Sequence, residues 1–347
     1  MTGGRSHTLT SGQSWVARYR LRLKRRRLLW RCLRARQHLT RLVDRTAEIS
    51  PGDILGIAVL RNEMARLPYF LQHYRDLGVS QFLIVDNEST DDSAAYLQEQ
   101  PDVSLWQTGA SYRDSRFGVD WAGWLLMRYG HGHWCLTVDA DEILTYPHAD
   151  QRSLADLTRW LDQRGAKAFG AMMLDMYPKG PIGDTCYQPG ADPFAVLDWF
   201  DGEGYTWEYQ PRYRNISIRG GVRKRLFFAR EPEHAPHLHK VPLVRWDRRF
   251  AYVSSTHIAL PPVLNQVFDA RGDLPTGVLL HNKFLEEVLE KSAEEKQRRQ
   301  HFTHVERYDS YYDSLIANPD LWSPQSLQYQ DWRQLENLGL MTRGAWA

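Results

Sequence analysis

Three short apolar runs, each ending abruptly in a polar loop, constrain this chain more than anything else in it. They are ILGIAVL at 54–60, QFLIV at 81–85 and WCLTV at 134–138. Pro51-Gly52 precedes the first and Arg61-Asn62-Glu63 follows it, which reads as a buried strand. Between the first two runs, Leu67, Phe70, Leu71, Tyr74 and Leu77 recur on one helical face, with Pro68 in the first turn and Gly78 at the stop. Residues 94–98 and 119–129 also read as helix, and residues 103–106 and 167–174 as strands. Strands alternating with helices at this spacing predict an α/β fold: a Rossmann-like, mainly parallel sheet flanked by helices. Ligands in such sheets sit beyond the carboxyl ends of the strands. Those ends carry Arg61-Asn62-Glu63, the run from Asp86 to Asp91, and Asp139-Ala140-Asp141-Glu142.

Composition narrows the class. The 347 residues are 42 % hydrophobic and 25 % charged, which excludes wholesale disorder and a coiled-coil rod. No apolar run approaches the roughly 20 residues of a membrane span. The opening MTGGRSHTLTSGQ lacks the apolar core of a secretory signal. Cys32, Cys135 and Cys186 are far apart, which argues against a disulfide scaffold or zinc ribbon and for a reducing compartment. The net charge of +2 is a cancellation. Residues 1–50 hold thirteen basic and two acidic side chains, ahead of a mildly acidic body. Within this arm, RYRLRLKRRRLLWRCLRAR mixes arginine with aromatic and aliphatic residues. Residues 15–45 therefore suit an anionic membrane surface, a helix covering the body, or, least of all, nucleic acid. Residues 18–25 alternate like a strand, whereas Trp15, Tyr19, Leu29 and Leu33 share a helical face.

Asp139 and Asp141 lie two apart at a strand end, so both carboxylates fall on one face. Two such oxygen ligands suit Mg²⁺ or Mn²⁺ with positions left for diphosphate oxygens, although Asp-x-Asp alone is also an ordinary polar loop. Asp86 and Asn87 end another strand, placed to meet a base or ribose or to cap a helix. The order VLRNE, LGVSQFLIVDNESTDDS, WCLTVDADEIL resembles a family 2 glycosyltransferase of the GT-A fold. The likeness covers residues 53–147 most closely and extends to about residue 285. It implies a nucleotide-sugar donor, a divalent metal (Mn²⁺ or Mg²⁺) and inversion at the sugar carbon. By that resemblance Asp139 and Asp141 bind the metal, Asp86 faces the base or ribose, and Arg61 and Glu63 line the nucleotide pocket. The same resemblance implies that His281, at the end of GVLLH, completes the metal shell, with a buried structural His as the alternative, and that Lys283 meets the diphosphate.

The second half is less regular. An inverting transferase needs a carboxylate to take the acceptor proton. Asp175, ending a strand, is the first candidate; Asp201 is the next, with Asp198 and Glu203 as rivals, and the Glu-Asp pair common in the family is not evident. In GGVRKRLFF, Arg223, Lys224 and Arg225 suit either a phosphate or the basic face of an edge strand. His234, His237 and His239 lack a zinc-ligand spacing and read as loop histidines. Residues 184–215 show no period and predict long loops. Residues 285–300 form a charged helix with a Glu287–Lys291 pair.

The expected layout is a basic helical arm (1–50), a GT-A domain (51–285, donor half 51–147, acceptor half 148–285) and a C-terminal helical extension (286–347). The expected activity is metal-dependent inverting transfer to a hydroxyl of a glycan, lipid-linked or protein acceptor. The expected location is cytoplasmic, either free or peripheral on the inner face of the cell membrane. A nucleotidyltransferase and a non-catalytic glycan-binding scaffold are the alternatives.

Overall fold

The computed structural model describes residues 14–268, 272–298 and 305–346. Its centre is a nine-stranded sheet: β1 (Thr40–Val43), β2 (Ile54–Leu60), β3 (Gln81–Asp86), β4 (Val103–Gln107), β5 (Trp134–Thr137), β6 (Glu142–Thr145), β7 (Ala168–Asp175), β8 (His239–Arg245) and β9 (Thr276–His281). The spatial order is β1-β4-β3-β2-β5-β8-β7-β9-β6. Strands β4, β3, β2 and β5 run parallel, as do β7 and β9, while β1, β8 and β6 run against them. The helices are α1 (Trp15–Ala35), α2 (Leu67–Asp76), α3 (Ser93–Glu99), α4 (Val119–Tyr129), α5 (Leu154–Gln163), α6 (Glu287–Arg298), α7 (Val305–Ile316) and α8 (Trp332–Asn337).

Alternation along the strands builds two cores. Ala58, Leu60, Phe82 and Ile84 pack with Leu67, Phe70 and Leu71 of α2 and with Leu154, Leu157 and Leu161 of α5. Leu55, Ile57, Leu83 and Val85 pack with Trp121, Leu125 and Leu126 of α4 on the other face. The period of two along a strand makes this division. Helix α2 stops at Gly78, whose φ of 99° is the left-handed conformation a helix end uses. Ser153 and Asp156 form a reciprocal capping box at the start of α5.

Several expectations change. Residues 18–25 are not strand but part of α1, whose buried face is Leu21, Leu28, Cys32 and Ala35; Trp15 and Tyr19 point to solvent. It lies so close to α4 that a Cβ on Gly123 would fall 2.5 Å from Cys32 Sγ. Strand β1, within the residues assigned to the arm, hydrogen-bonds to β4, and the C-terminal extension bridges to β9 through Thr276 and Thr342. Both additions are thus built onto the sheet. Residues 184–215 are not all loop: Trp199–Asp201 pairs with Ser326–Gln328, and Thr206–Gln210 with Asn215–Arg219. Arg223–Phe227 is a π-helical turn instead of an edge strand. His239 belongs to β8 and is buried, not in a loop. Among the described residues no helix is long and apolar enough to cross a membrane.

Candidate functional site

A cleft of about 1120 Å³ opens at the carboxyl ends of β2, β3 and β5, and the loops after all three reach it through Arg61, Glu63, Asn87, Asp139 and Asp141. The first two loops are locked together. Arg61 donates to the carbonyls of Asn87 (2.9 Å) and Glu88 (2.6 Å). Asn62 takes a φ of 53°, which an Asn tolerates, and its Oδ1 accepts from Thr90 N–H at 2.7 Å. Asn87 lines the cleft while its amide donates to Thr108 O at 2.8 Å. Asp86 is buried under this loop, where it accepts from Ser89 N–H (3.2 Å) and Gln107 Nε2 (3.2 Å). Glu63 is held by Arg66 and Lys291, both at 2.9 Å.

Register brings the remaining groups together. His281 sits opposite Asp175 in the parallel pair β7–β9 and opposite Glu142 in the antiparallel pair β9–β6. Its Nδ1 meets Asp175 Oδ1 at 2.7 Å and its Nε2 meets Asp141 Oδ2 at 3.0 Å. Arg223 Nε donates to the other Asp175 oxygen at 2.7 Å. The result is a chain, Asp141–His281–Asp175–Arg223, buried except at Asp141, which is half-buried at the cleft. Burial opposes a charge on His281, but the two flanking carboxylates outweigh it and raise the imidazole above its ordinary value. Burial acts upward on both carboxyls, yet Asp141 is held well below its usual range, chiefly by His281. Asp175 is brought down to about 2 by Arg223 and His281.

Asp139, exposed at the cleft, accepts from Lys240 Nζ at 3.1 Å, and the same ammonium pairs with buried Glu142. Glu142 Oε2 accepts from Asp139 N–H at 3.2 Å. Tyr74 of α2 fixes β6 beside it, donating to Glu142 O at 2.7 Å. Burial raises the Glu142 carboxyl, Lys240 pulls it back, and Asp139 and Asp141 add to the rise. Lys240 stays charged against burial because Asp139 and Glu142 hold it. Lys283 lines the cleft, and burial lowers its ammonium from the ordinary value.

The sequence candidates therefore divide. Arg61, Glu63, Asn87, Asp139, Asp141, His281 and Lys283 share the cleft. Asp86 and Asp175 lie beneath it, each engaged by hydrogen bonds. Asp201 and Arg225 are paired with one another at 2.9 Å outside the cleft, with Arg225 also donating to Leu321 O at 2.7 Å. Lys240 was not foreseen: it is 101 residues from Asp139, in a strand with no sequence mark of function. Glu142 stands inside the DADE run and could have been read from it.

Among the described residues no group of three or more His, Cys, Asp or Glu side chains is set to hold a metal ion. The donor chemistry of Asp141 and His281 nevertheless fits a divalent cation. Asp175 fixes the imidazole through Nδ1, which turns Nε2 toward the Asp141 carboxylate. Cations bound beside a diphosphate commonly take one or two protein ligands and leave the rest to phosphate and water. Asp139 lines the same cleft with its side chain half exposed and one oxygen on Lys240.

No protein-family model matches this chain, and no curated protein matches it. Among solved structures, a 4-diphosphocytidyl-2C-methyl-D-erythritol synthase is 15% identical, with a TM-score of 0.24, over 40% of this chain and 66% of that one. The mannosyltransferase PcManGT from Pyrobaculum calidifontis, in complex with GDP-Man and Mn²⁺, is 18% identical, with a TM-score of 0.26, over 48% of this chain and 47% of its own. The UTP-bound UGPase from Acinetobacter baumannii is 11% identical, with a TM-score of 0.32, over 76% and 99%. At these values the likeness assigns no activity to this chain.

Proposed function

We propose that this chain is a metal-dependent, inverting glycosyltransferase that takes a sugar from a nucleotide donor to a hydroxyl acceptor. The observation that carries the reading is the convergence of Asp141, His281 and Lys283 on a cleft shared with the Arg61 and Asn87 loops. Loops at the carboxyl ends of parallel strands suit a nucleoside, and the Arg61 clamp presets their shape. Asp141 and His281 would hold the cation, which supplies charge neutralisation for a departing diphosphate. Lys283 adds a second positive charge on the same wall. Asp175 keeps the His281 ring in one tautomer; being buried and bound on both oxygens, it is a positioning group and not the base that meets the acceptor.

The test is thermal unfolding against a panel of nucleoside diphosphates with and without Mn²⁺. A ligand at about 100 times its Kd stabilises the native state by about 2.7 kcal/mol. One diphosphate is expected to raise the midpoint only with metal, and Asp141→Asn is expected to abolish that rise. With an intact nucleotide-sugar donor and an acceptor, release of nucleoside diphosphate is expected; pyrophosphate release from a nucleoside triphosphate and a sugar 1-phosphate would instead identify a nucleotidyltransferase. No midpoint shift with any nucleotide would favour a non-catalytic scaffold.

A further inference from the structure

Helix α1 has apolar residues on two opposite faces, and among the described residues only one of them is packed against the body. Leu21, Leu28, Cys32 and Ala35 are buried, with Leu21 and Leu28 packed on Ala251 and Leu260. At 3.6 residues per turn the opposite face carries Tyr19, Leu23 and Trp30, which are 54 %, 44 % and 59 % exposed. Trp15, 76 % exposed, extends this stripe toward the start of the helix. Arg18, Arg20, Arg22, Arg26, Arg27 and Arg34 are exposed around it, and the helix holds no acidic residue. The basic side chains with partners lie nearer the buried side: Lys24 on Tyr213 at 2.7 Å and Arg31 on Asp120 at 2.8 Å.

We infer that this outer face of α1 is a docking surface for an anionic lipid bilayer, with the helix lying flat in the headgroup layer. Tryptophan and tyrosine have an apolar body and a polar edge, which matches that layer. Leucine beside them gains by leaving water for the acyl boundary. Arginines flanking the stripe match lipid phosphates in charge and in fork geometry. Nucleic acid would satisfy the arginines but leave Leu23 in water. Arg31 of the same helix lines the cleft that Asp139 and Asp141 also line, so a docked α1 holds the cleft next to the bilayer surface. The inference stands on α1 alone and does not require the donor chemistry proposed for the cleft.

The experiment is co-sedimentation of the full chain with vesicles of phosphatidylcholine and phosphatidylglycerol in equal parts, and with phosphatidylcholine alone, at about 0.15 M salt. Binding is expected with the mixed vesicles only. L23E/W30E is expected to weaken it by about tenfold or more, as is R26Q/R27Q/R34Q. These side chains are exposed, so the thermal midpoint should hold; if L23E/W30E lowers it, the milder Y19S/L23Q gives the same reading. Any midpoint shift with nucleoside diphosphate should persist in all three variants, which separates lipid docking from the donor site. Wild-type binding by L23E/W30E would overturn the inference. So would tighter binding to duplex DNA or RNA than to the anionic vesicles, unmoved by L23E/W30E.

Discussion

Lys240 is the residue on which the cleft floor depends. Its ammonium is buried between Asp139 and Glu142, so removing it leaves the Glu142 carboxylate buried with two acidic neighbours. Breaking a buried pair from one side costs about 3–5 kcal/mol, while replacing both partners is often near neutral. Lys240→Met is therefore expected to lower the urea midpoint sharply, and Lys240→Met/Glu142→Gln to recover most of it. A second residue-scale expectation concerns His237, His239 and His257, whose ring centroids lie 5.4 to 6.3 Å apart. Burial, helped by Arg219, lowers His237 to about 4; burial, helped by His237 and Arg219, lowers His239 to about 3. Burial and Lys240 take His257 well below its usual value. An unfolded histidine binds its proton near pH 6.5. Above that value neither state is protonated and the histidines contribute no slope. Below it the unfolded chain gains protons that the folded chain refuses, so stability should fall as pH drops from about 6.5 toward 4. Urea midpoints measured across that window check it, and His239→Gln should flatten the slope. The site was legible where a side chain follows its strand directly, as Asp139, Asp141 and His281 do. It was illegible where partners meet only through the sheet, as Lys240 and Asp139 do, and where a strand-end acid such as Asp175 turns out to be held from both sides.

Among the elements, α1 shows how a face is chosen. Its spacing decides little: residues 18–25 alternate like a strand, while Trp15, Tyr19, Leu29 and Leu33 can share a helical face. The body selects the face of Leu21, Leu28, Cys32 and Ala35 because Gly123 of α4 leaves room for Cys32, a complementarity that no one-dimensional pattern contains. The packing has a chemical readout. Burial, with Asp120 adding, pushes the Cys32 thiol up to about 12, and burial raises Cys135 further. Cys186 is exposed. A thiol-specific reagent near pH 8 should label one cysteine in the native protein, at position 186, and all three after unfolding; mass spectrometry of the labelled peptides checks it. The π-helical turn at Arg223–Phe227 was equally hidden, since alternation in VRKRLFF fits a strand until Asp175 and Asp201 draw Arg223 and Arg225 toward them.

In the whole molecule, the parallel half of the sheet was the readable part. Strands β2, β3 and β5 are apolar runs because both their faces are covered, and α2 and α4 show a clear helical period. The antiparallel additions were not: β6 is four residues beside a polar loop, β8 contains His239, Lys240 and a proline, and β1 is largely exposed. Their places are set by pairing partners far away in the chain.

That distance also orders events in time. The strand that supplies His281 is the last of the nine to be made, yet it is inserted between β7 and β6, both made more than a hundred residues earlier. A ribosome that has released only the first 275 residues has delivered Asp139, Asp141 and the loops after β2 and β3 without the imidazole that meets Asp141 and Asp175. The cation capture proposed at Asp141 and His281 would then begin only when that strand has been threaded into its slot, after every other strand of the sheet has been made.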